Sequence, residues 1–271
     1  MTTMPGESQD LRYAVEDMIR CAAKDIILPR FQKLDDSDIA TKSGPTDYVT
    51  VADTEAEHFL DERLTSLLPG AAVVGEEAAA ANPDLIARLT SPGQTWVIDP
   101  IDGTGNFVAG RDAFAVVVAL VENGETRMGW IHSPCKTTTV WAARGEGTWE
   151  KDVRLSVALD EGASLQDMHA ALYHRAFKDA NAQFGQTEKL GSAAHEYWQL
   201  AANRLHVSSF SRLKPWDHAA GVLIHTEAGG YSAMLDGSPY RPGDTDKRGL
   251  LNAPSRTIWD TVRALADETR I

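Results

Sequence analysis

Thr95-Trp96-Val97-Ile98-Asp99-Pro100-Ile101-Asp102-Gly103-Thr104 is the stretch on which the reading of this chain turns. A short apolar strand runs into two acids, and a Gly-Thr pair follows. In open α/β sheets, acids at the end of such a strand point into the crevice that holds ligands. The Gly-Thr step fits a turn whose backbone N–H groups face an anion. Two other clusters share the pattern. Gly75-Glu76-Glu77 follows the strand-like Ala72-Val73-Val74, and Asp217 follows Pro215-Trp216 at a helix start. Taken singly, Asp217 reads as an N-cap and Glu76-Glu77 as solvated surface. Several carboxylates converging on one crevice would repel one another unless cations neutralise them. Oxygen donors without Cys or His select hard ions, Mg²⁺ first and Mn²⁺ or Ca²⁺ next.

Outward from this stretch the chain alternates helix and strand signals. Leu11, Ala14, Met18, Ile19 and Ala22 predict an opening helix over 9–28. Ser43-Gly44-Pro45 breaks regularity, and Tyr48 to Val51 is extended. Thr54 and Glu57 predict a capping box for a helix that stops at Pro69-Gly70, which leaves Asp53 at a strand-to-helix junction. Strands are predicted over 113–121, 128–132 and 138–143, near 169–173 and over 205–210. Helices are predicted near 192–202, from 218 to Gly229-Gly230, and after Pro254. The expected architecture is a single layered α/β unit over residues 1–271, with an internal seam near 152–165.

Composition limits the partners. The 26 Lys and Arg against 39 Asp and Glu give a net charge of -13, which repels nucleic acid and anionic membranes; neither is expected as a partner. No apolar run suits a bilayer span, the N-terminus lacks a signal-peptide pattern, and two cysteines make no disulfide framework, so a cytoplasmic location is expected. The same charge would repel an anionic substrate unless bound cations neutralise some of the acids.

The segment Trp96 to Val108 resembles the first signature of the inositol monophosphatase family, and Pro215-Trp216-Asp217-His218-Ala219-Ala220-Gly221, running on to Glu227-Ala228-Gly229-Gly230, is similar to its second. Lys42, Asp47-Tyr48-Val49-Thr50, Asp53 and Gly75-Glu76-Glu77 follow in the order of the family's upstream elements. The resemblance implies an α-β-α-β-α sandwich of the kind shared with fructose bisphosphatases. It implies Mg²⁺-dependent hydrolysis of a small phosphate monoester by a metal-activated water. Two or three ions would be held by Glu76, Asp99, the Ile101 carbonyl, Asp102 and Asp217. Asp53 and Thr104, with Glu76, would position and deprotonate the water. Gly103 and Thr104 N–H groups would meet the phosphate, beside Asp102 and Asp217, while Lys42, Asp47 and Glu77 would stand behind the ligands. A homodimer and inhibition by lithium are also implied.

Departures from the family pattern leave the leaving group open. Seven residues before Asp217, where inositol-specific members carry a Glu, stands Phe210, which cannot accept a hydroxyl hydrogen bond. Gly191-Ser192-Ala193-Ala194 resembles the family's substrate-side motif, so Ala193 and Arg212 become the candidate leaving-group contacts. Histidinol phosphate and fructose bisphosphate are alternative substrates, and a regulatory protein acting through protein partners is the alternative of another class. His174, His195-Glu196, His218 and His225 invite a zinc site, but no His-Glu-x-x-His or paired-Cys spacing supports one. Gly-x-Ser-x-Gly, Walker and dinucleotide loops are absent.

Overall fold

The computed structural model describes residues 5–42, 44, 48–159, 162–245 and 249–270. Asp47, and Ser43 and Pro45 of the expected break, lie outside the described residues.

Strand Gln94–Asp102 is the backbone of a seven-stranded sheet. It pairs in parallel with Ala72–Gly75 and antiparallel with Ala115–Glu122; the sheet continues antiparallel through Glu125–Ser133, Thr138–Ala143, Gly147–Glu150 and Val153–Leu155. Both faces of this sheet are covered, so its central strands read as continuous apolar runs and not as alternating ones. The period of two persists in where the side chains go. Trp96 and Ile98 pack with Val116, Val118, Leu120 and Trp130 against Val15, Ile19, Leu60 and Leu64 of helices Pro5–Ala22 and Val51–Leu67. Val97 packs on the other face with Val117, Ala119 and Ile131, against Tyr197, Ala220, Leu223 and Ile224 of helices Ala193–Ala201 and Pro215–Glu227.

That helical pair is also covered on its far side, by a five-stranded sheet in the order Gln186–Thr187, His169–Leu172, Val207–Phe210, Leu250–Ala253, Tyr231–Met234. Ala171, Phe210, Met234 and Leu250 face the helices; Ala170, Leu172, Val207 and Leu251 face Phe177 and the final helix Arg256–Arg263, through Trp259 and Val262. The layers therefore run α-β-α-β-α. Between the two sheets, from Leu155 to His169, there is no strand among the described residues. Among the described residues no helix is long and apolar enough to cross a membrane.

Several element ends differ from expectation. The opening helix closes at Ala22, followed by a wider π-type turn over Ala23–Ile27 that keeps Ala23 and Ile27 buried. The capping box lies one turn earlier than Thr54 and Glu57. Thr50 caps the helix, its hydroxyl accepting the Ala52 N–H at 3.2 Å, while Asp53 reaches back to the Thr50 N–H at 2.8 Å. Pro254 precedes the last helix and does not open it, because Ser255 supplies the capping oxygen, 3.3 Å from the Ile258 nitrogen. The helix expected from 218 begins at Pro215, whose fixed φ and missing N–H suit a first helical position. Asp217 is thus the third residue of that helix and not its N-cap, which is Lys214.

Candidate active site

The parts of the site come from four places in the fold. Strand Gln94–Asp102 pairs irregularly with its neighbour between Asp99 and Asp102, which turns both acids toward one end of the sheet. Gly103 then takes a left-handed conformation at φ 88°, and a Cβ there would lie 2.9 Å from the Ala113 carbonyl, so only glycine fits the turn. The first turn of helix Pro215–Glu227 brings in Asp217, the start of helix Val51–Leu67 brings in Asp53, and the start of helix Glu76–Ala81 brings in Glu76.

One carboxylate oxygen from each of Asp99, Asp102 and Asp217 lies within 4.8 Å of the others. Asp99 is 2 % and Asp102 7 % exposed, and Asp217 is partly buried. Burial first, then repulsion among Glu76, Asp99, Asp102 and Asp217, drives Asp99 and Asp217 well above the carboxylate range. Asp102 rises only to about 6, because burial is partly offset by the groups that bond it. It accepts the Ser192 hydroxyl and the N–H groups of Ala193 at 3.2 Å and Ala194 at 2.9 Å. These three donors sit at the start of helix Ala193–Ala201, so the central helical layer grips a carboxylate of the large sheet.

Glu76 stands outside the three-acid group. Its carboxylate accepts the Lys42 ammonium at 2.6 Å, and the same ammonium reaches Glu77 at 2.9 Å. Burial disfavours the Lys42 charge, but the two glutamates outweigh it and hold the lysine protonated. Behind them Glu57, 7 % exposed, accepts the N–H groups of Glu77 and Ala78, both at 2.8 Å. It caps the helix that begins at Glu76 instead of its own.

Asp53 is wholly buried. Its Oδ2 accepts the Thr50 N–H at 2.8 Å and hydroxyl at 2.6 Å, and its Oδ1 lies 3.3 Å from the Thr104 hydroxyl, which is also 2.9 Å from the Ile101 carbonyl. Burial, opposed by the Thr50 bonds, brings the Asp53 carboxyl to about 7. Such a group can hold or release a proton near neutrality.

Two cavities meet at Arg212 and Asp217. A cleft of 1410 Å³ is lined by Lys42, Arg175, Arg212 and Lys214 beside Glu76 and Asp217, so basic side chains outnumber acidic ones in its wall although the chain as a whole is acidic. A smaller cavity of 510 Å³ is lined by Asp102, Ala193, Phe210, Arg212 and Asp217, with Tyr173 and Glu196. Phe210 stacks on Tyr173 at 5.8 Å and on Tyr197 at 5.6 Å between ring centres. Arg212 is exposed, and its carbonyl is 2.8 Å from His218 Nε2. His218 Nδ1 lies 3.0 Å from the Tyr197 hydroxyl, so this ring serves the aromatic cluster and not the acids.

The structure therefore brings Asp99, Asp102 and Asp217 together, sets Asp53 against Thr104, and holds Glu76 and Glu77 through Lys42. Sequence reasoning missed Glu57, Ser192, Tyr173 and Glu196. Only Ser192 carried a usable signal, as the capping residue of the Gly191-Ser192-Ala193-Ala194 run. The donor set fits Mg²⁺: buried oxygens alone, crowded enough to need positive charge between them.

The profile of the inositol monophosphatase family matches residues 7–269. The inositol-1-monophosphatase of Bacillus subtilis is 33% identical over 211 residues, covering 74% of this chain and 78% of that protein. The inositol-1-monophosphatase of Mycobacterium leprae is 30% identical over 285 residues, 97% of this chain and 96% of its own. Among solved structures, the Thermotoga maritima IMPase superposes with a TM-score of 0.81 at 26% identity, over 95% of this chain and 96% of that one. Sequence, fold and the buried acid cluster agree, and the chain belongs to the inositol monophosphatase family.

Proposed function

We propose that this phosphatase hydrolyses a small polyol or sugar phosphate, with two or three Mg²⁺ ions held by Glu76, Asp99, the Ile101 carbonyl, Asp102 and Asp217. The observation that carries the reading is the convergence of Asp99, Asp102 and Asp217 oxygens within 4.8 Å. When bound, Mg²⁺ neutralises the phosphate oxygens and eases deprotonation of the attacking water.

The protein's own groups then do the rest. Gly103 and Thr104 present backbone N–H groups to the phosphate at the left-handed turn. Asp53 takes the proton of the attacking water through the Thr104 hydroxyl, whose single hydrogen turns from the Ile101 carbonyl, 2.9 Å away, to Asp53 Oδ1, 3.3 Å away, as its oxygen accepts from the water. Ser192, Ala193 and Ala194 fix the Asp102 carboxylate so that it does not have to reorganise during the reaction. Lys42 spreads positive charge over Glu76 and Glu77, and Lys214 and Lys42 counter the charge of Asp217. The basic side chains in the cleft wall draw an anion toward a chain that carries a net charge of -13. Ala193 and Arg212 contact the leaving group. The enzyme works as a cytoplasmic homodimer.

The test is phosphate release from a panel of polyol, sugar, amino-alcohol and bisphosphate esters with and without Mg²⁺. Phe210, in place of an acid, favours keeping histidinol phosphate and fructose bisphosphate in that panel. Release that does not depend on Mg²⁺, or no release at all, would overturn the reading.

A further inference from the structure

Helix Ala193–Ala201 begins at the acid cluster, where Ser192, Ala193 and Ala194 grip Asp102. Within that first turn lies Glu196, which is 0 % exposed. One of its carboxyl oxygens, Oε1, is 3.4 Å from the Leu190 N–H. The Tyr173 hydroxyl, which accepts the Gly191 N–H at 3.1 Å, stands beside the same carboxyl. The other oxygen, Oε2, has no hydrogen-bond partner among the described residues. Glu196 nevertheless lines the 510 Å³ cavity that also touches Asp102, Phe210, Arg212 and Asp217.

A buried carboxyl oxygen without a partner costs desolvation that no contact of the fold returns. The cavity it lines adjoins the acid cluster at Asp102 and Asp217 and offers room there for the alcohol of a bound phosphate ester. Phe210 and its stacked neighbours give that cavity apolar ring surface. Asp102, Ser192, Ser211, Arg212 and Asp217 also line it, and among its carboxylates Glu196 keeps a buried oxygen that no described neighbour bonds.

We propose that Glu196 Oε2 hydrogen-bonds a hydroxyl of the leaving alcohol and is the residue that makes this enzyme prefer polyol phosphates. The proposal rests on the phosphatase reading above. Burial moves the Glu196 carboxyl up to about 8, with the charge of Asp102 adding to it and the neighbouring Tyr173 hydroxyl and Leu190 N–H opposing it. The group is thus shared between its protonated and ionised forms near neutrality. A hydroxyl suits both, since it accepts from the first and donates to the second.

The experiment compares glycerol 2-phosphate with isopropyl phosphate, which differ only in hydroxyl groups, in the presence of Mg²⁺. The unaltered protein is expected to favour glycerol 2-phosphate in kcat/KM by about tenfold or more, since a site built around a polar contact rejects the analogue lacking it. Glu196→Ala removes that preference, chiefly by raising KM for glycerol 2-phosphate. Glu196→Gln, whose amide also donates and accepts, keeps most of it. A thermal melt establishes that each variant folds; should the alanine variant fail to fold, Glu196→Met, close in size and unable to bond a hydroxyl in this way, is read in its place by the same criterion. Equal use of the two esters by the unaltered protein, or an undiminished preference in Glu196→Ala, overturns the role of Glu196 alone. Hydrolysis of neither ester by the unaltered protein overturns the phosphatase reading itself.

Discussion

Glu57 and Glu77 are joined head to backbone: the buried Glu57 carboxylate accepts the Glu77 N–H at 2.8 Å and so fixes the turn from which Glu76 projects. The neighbouring Ala78 N–H binds the other oxygen at 2.8 Å, leaving the cap fully used. Glu57→Ala removes the acceptor of two part-buried N–H groups, and since Ala78 is exposed and water can reach its N–H, the loss is about 1–2 kcal/mol, as for a lost helix cap. The expected outcome is a lower denaturation midpoint together with a higher Mg²⁺ concentration for half-maximal activity, measured by chemical denaturation and by metal titration of phosphate release. An unchanged metal requirement would mean that Glu57 does not position Glu76.

Gly75 shares that turn for a reason of space. A Cβ at this position would stand 2.3 Å from Glu57 Cδ. Gly75→Ala therefore either displaces the Glu57 cap or shifts the strand, at about 1–3 kcal/mol as for other overpacked sites. The chemical denaturation midpoint should fall, and the metal requirement should rise as it does in Glu57→Ala.

Asp99→Asn separates the needs of chemistry from those of folding. Burial and its neighbours already hold Asp99 well above the usual range, so the charge is costly without a cation. The variant should lose activity by roughly a thousandfold or more, as expected when a preorganised charged group is removed. Its metal-free form should melt no lower than the unaltered protein, and Mg²⁺ should no longer raise the melting temperature. Wild-type turnover in this variant would remove Asp99 from the site.

The pH dependence of the metal-free protein has a definite sign. Asp102 is raised to about 6, Asp53 and Glu57 to about 7, chiefly by burial, and Asp99 and Asp217 lie well above the carboxylate range. In the unfolded chain these groups ionise near about 4. Each therefore adds stability that is fully present below that value and is lost as pH climbs through its folded pKa. Melting temperature without metal should fall from about pH 5 to about pH 8, and Mg²⁺ should restore it at the upper end more than at the lower. Scanning calorimetry with and without chelator measures both.

Phe210→Glu tests whether the missing acid can be put back. Phe210 is 8 % exposed and stacked on two tyrosines, so the change removes aromatic packing and buries a charge. A loss of about 3–5 kcal/mol, the range for deleting a buried aromatic, is expected in chemical denaturation.

Legibility followed distance along the chain. Asp99, Asp102, Gly103 and Thr104 could be read because strand end, irregular pairing and left-handed turn occupy consecutive residues. The five layers could be read from resemblance, and the apolar runs of the large sheet supported them. Glu57 could not, since its partner N–H groups lie twenty and more residues on, across a turn that brings strand Ala72–Gly75 back beside its helix. Glu196 was hidden in a His195-Glu196 pair that suggested metal binding; only the packing of its helix between two sheets sets the direction of the carboxyl. Strands Gly147–Glu150, Val153–Leu155 and Gln186–Thr187 are too short to show a period, and Asn252 interrupts the pattern of Leu250–Ala253.

The layer order has a consequence for how such a chain can change. Lys42, Asp53, Glu76, Asp99, Asp102 and Thr104, the groups proposed to handle the metal and the phosphate, all precede the large sheet's last strand. Tyr173, Ala193, Glu196, Phe210 and Arg212, which line the neighbouring cavity, all follow it, and only Asp217 of the acid cluster travels with them. On the proposed reading, reactivity and choice of alcohol are carried mostly by different stretches of the chain, with Asp217 the exception. A hybrid joining residues 1–155 of this protein to the later portion of a relative would be expected to keep the chemistry and adopt the relative's taste in substrates.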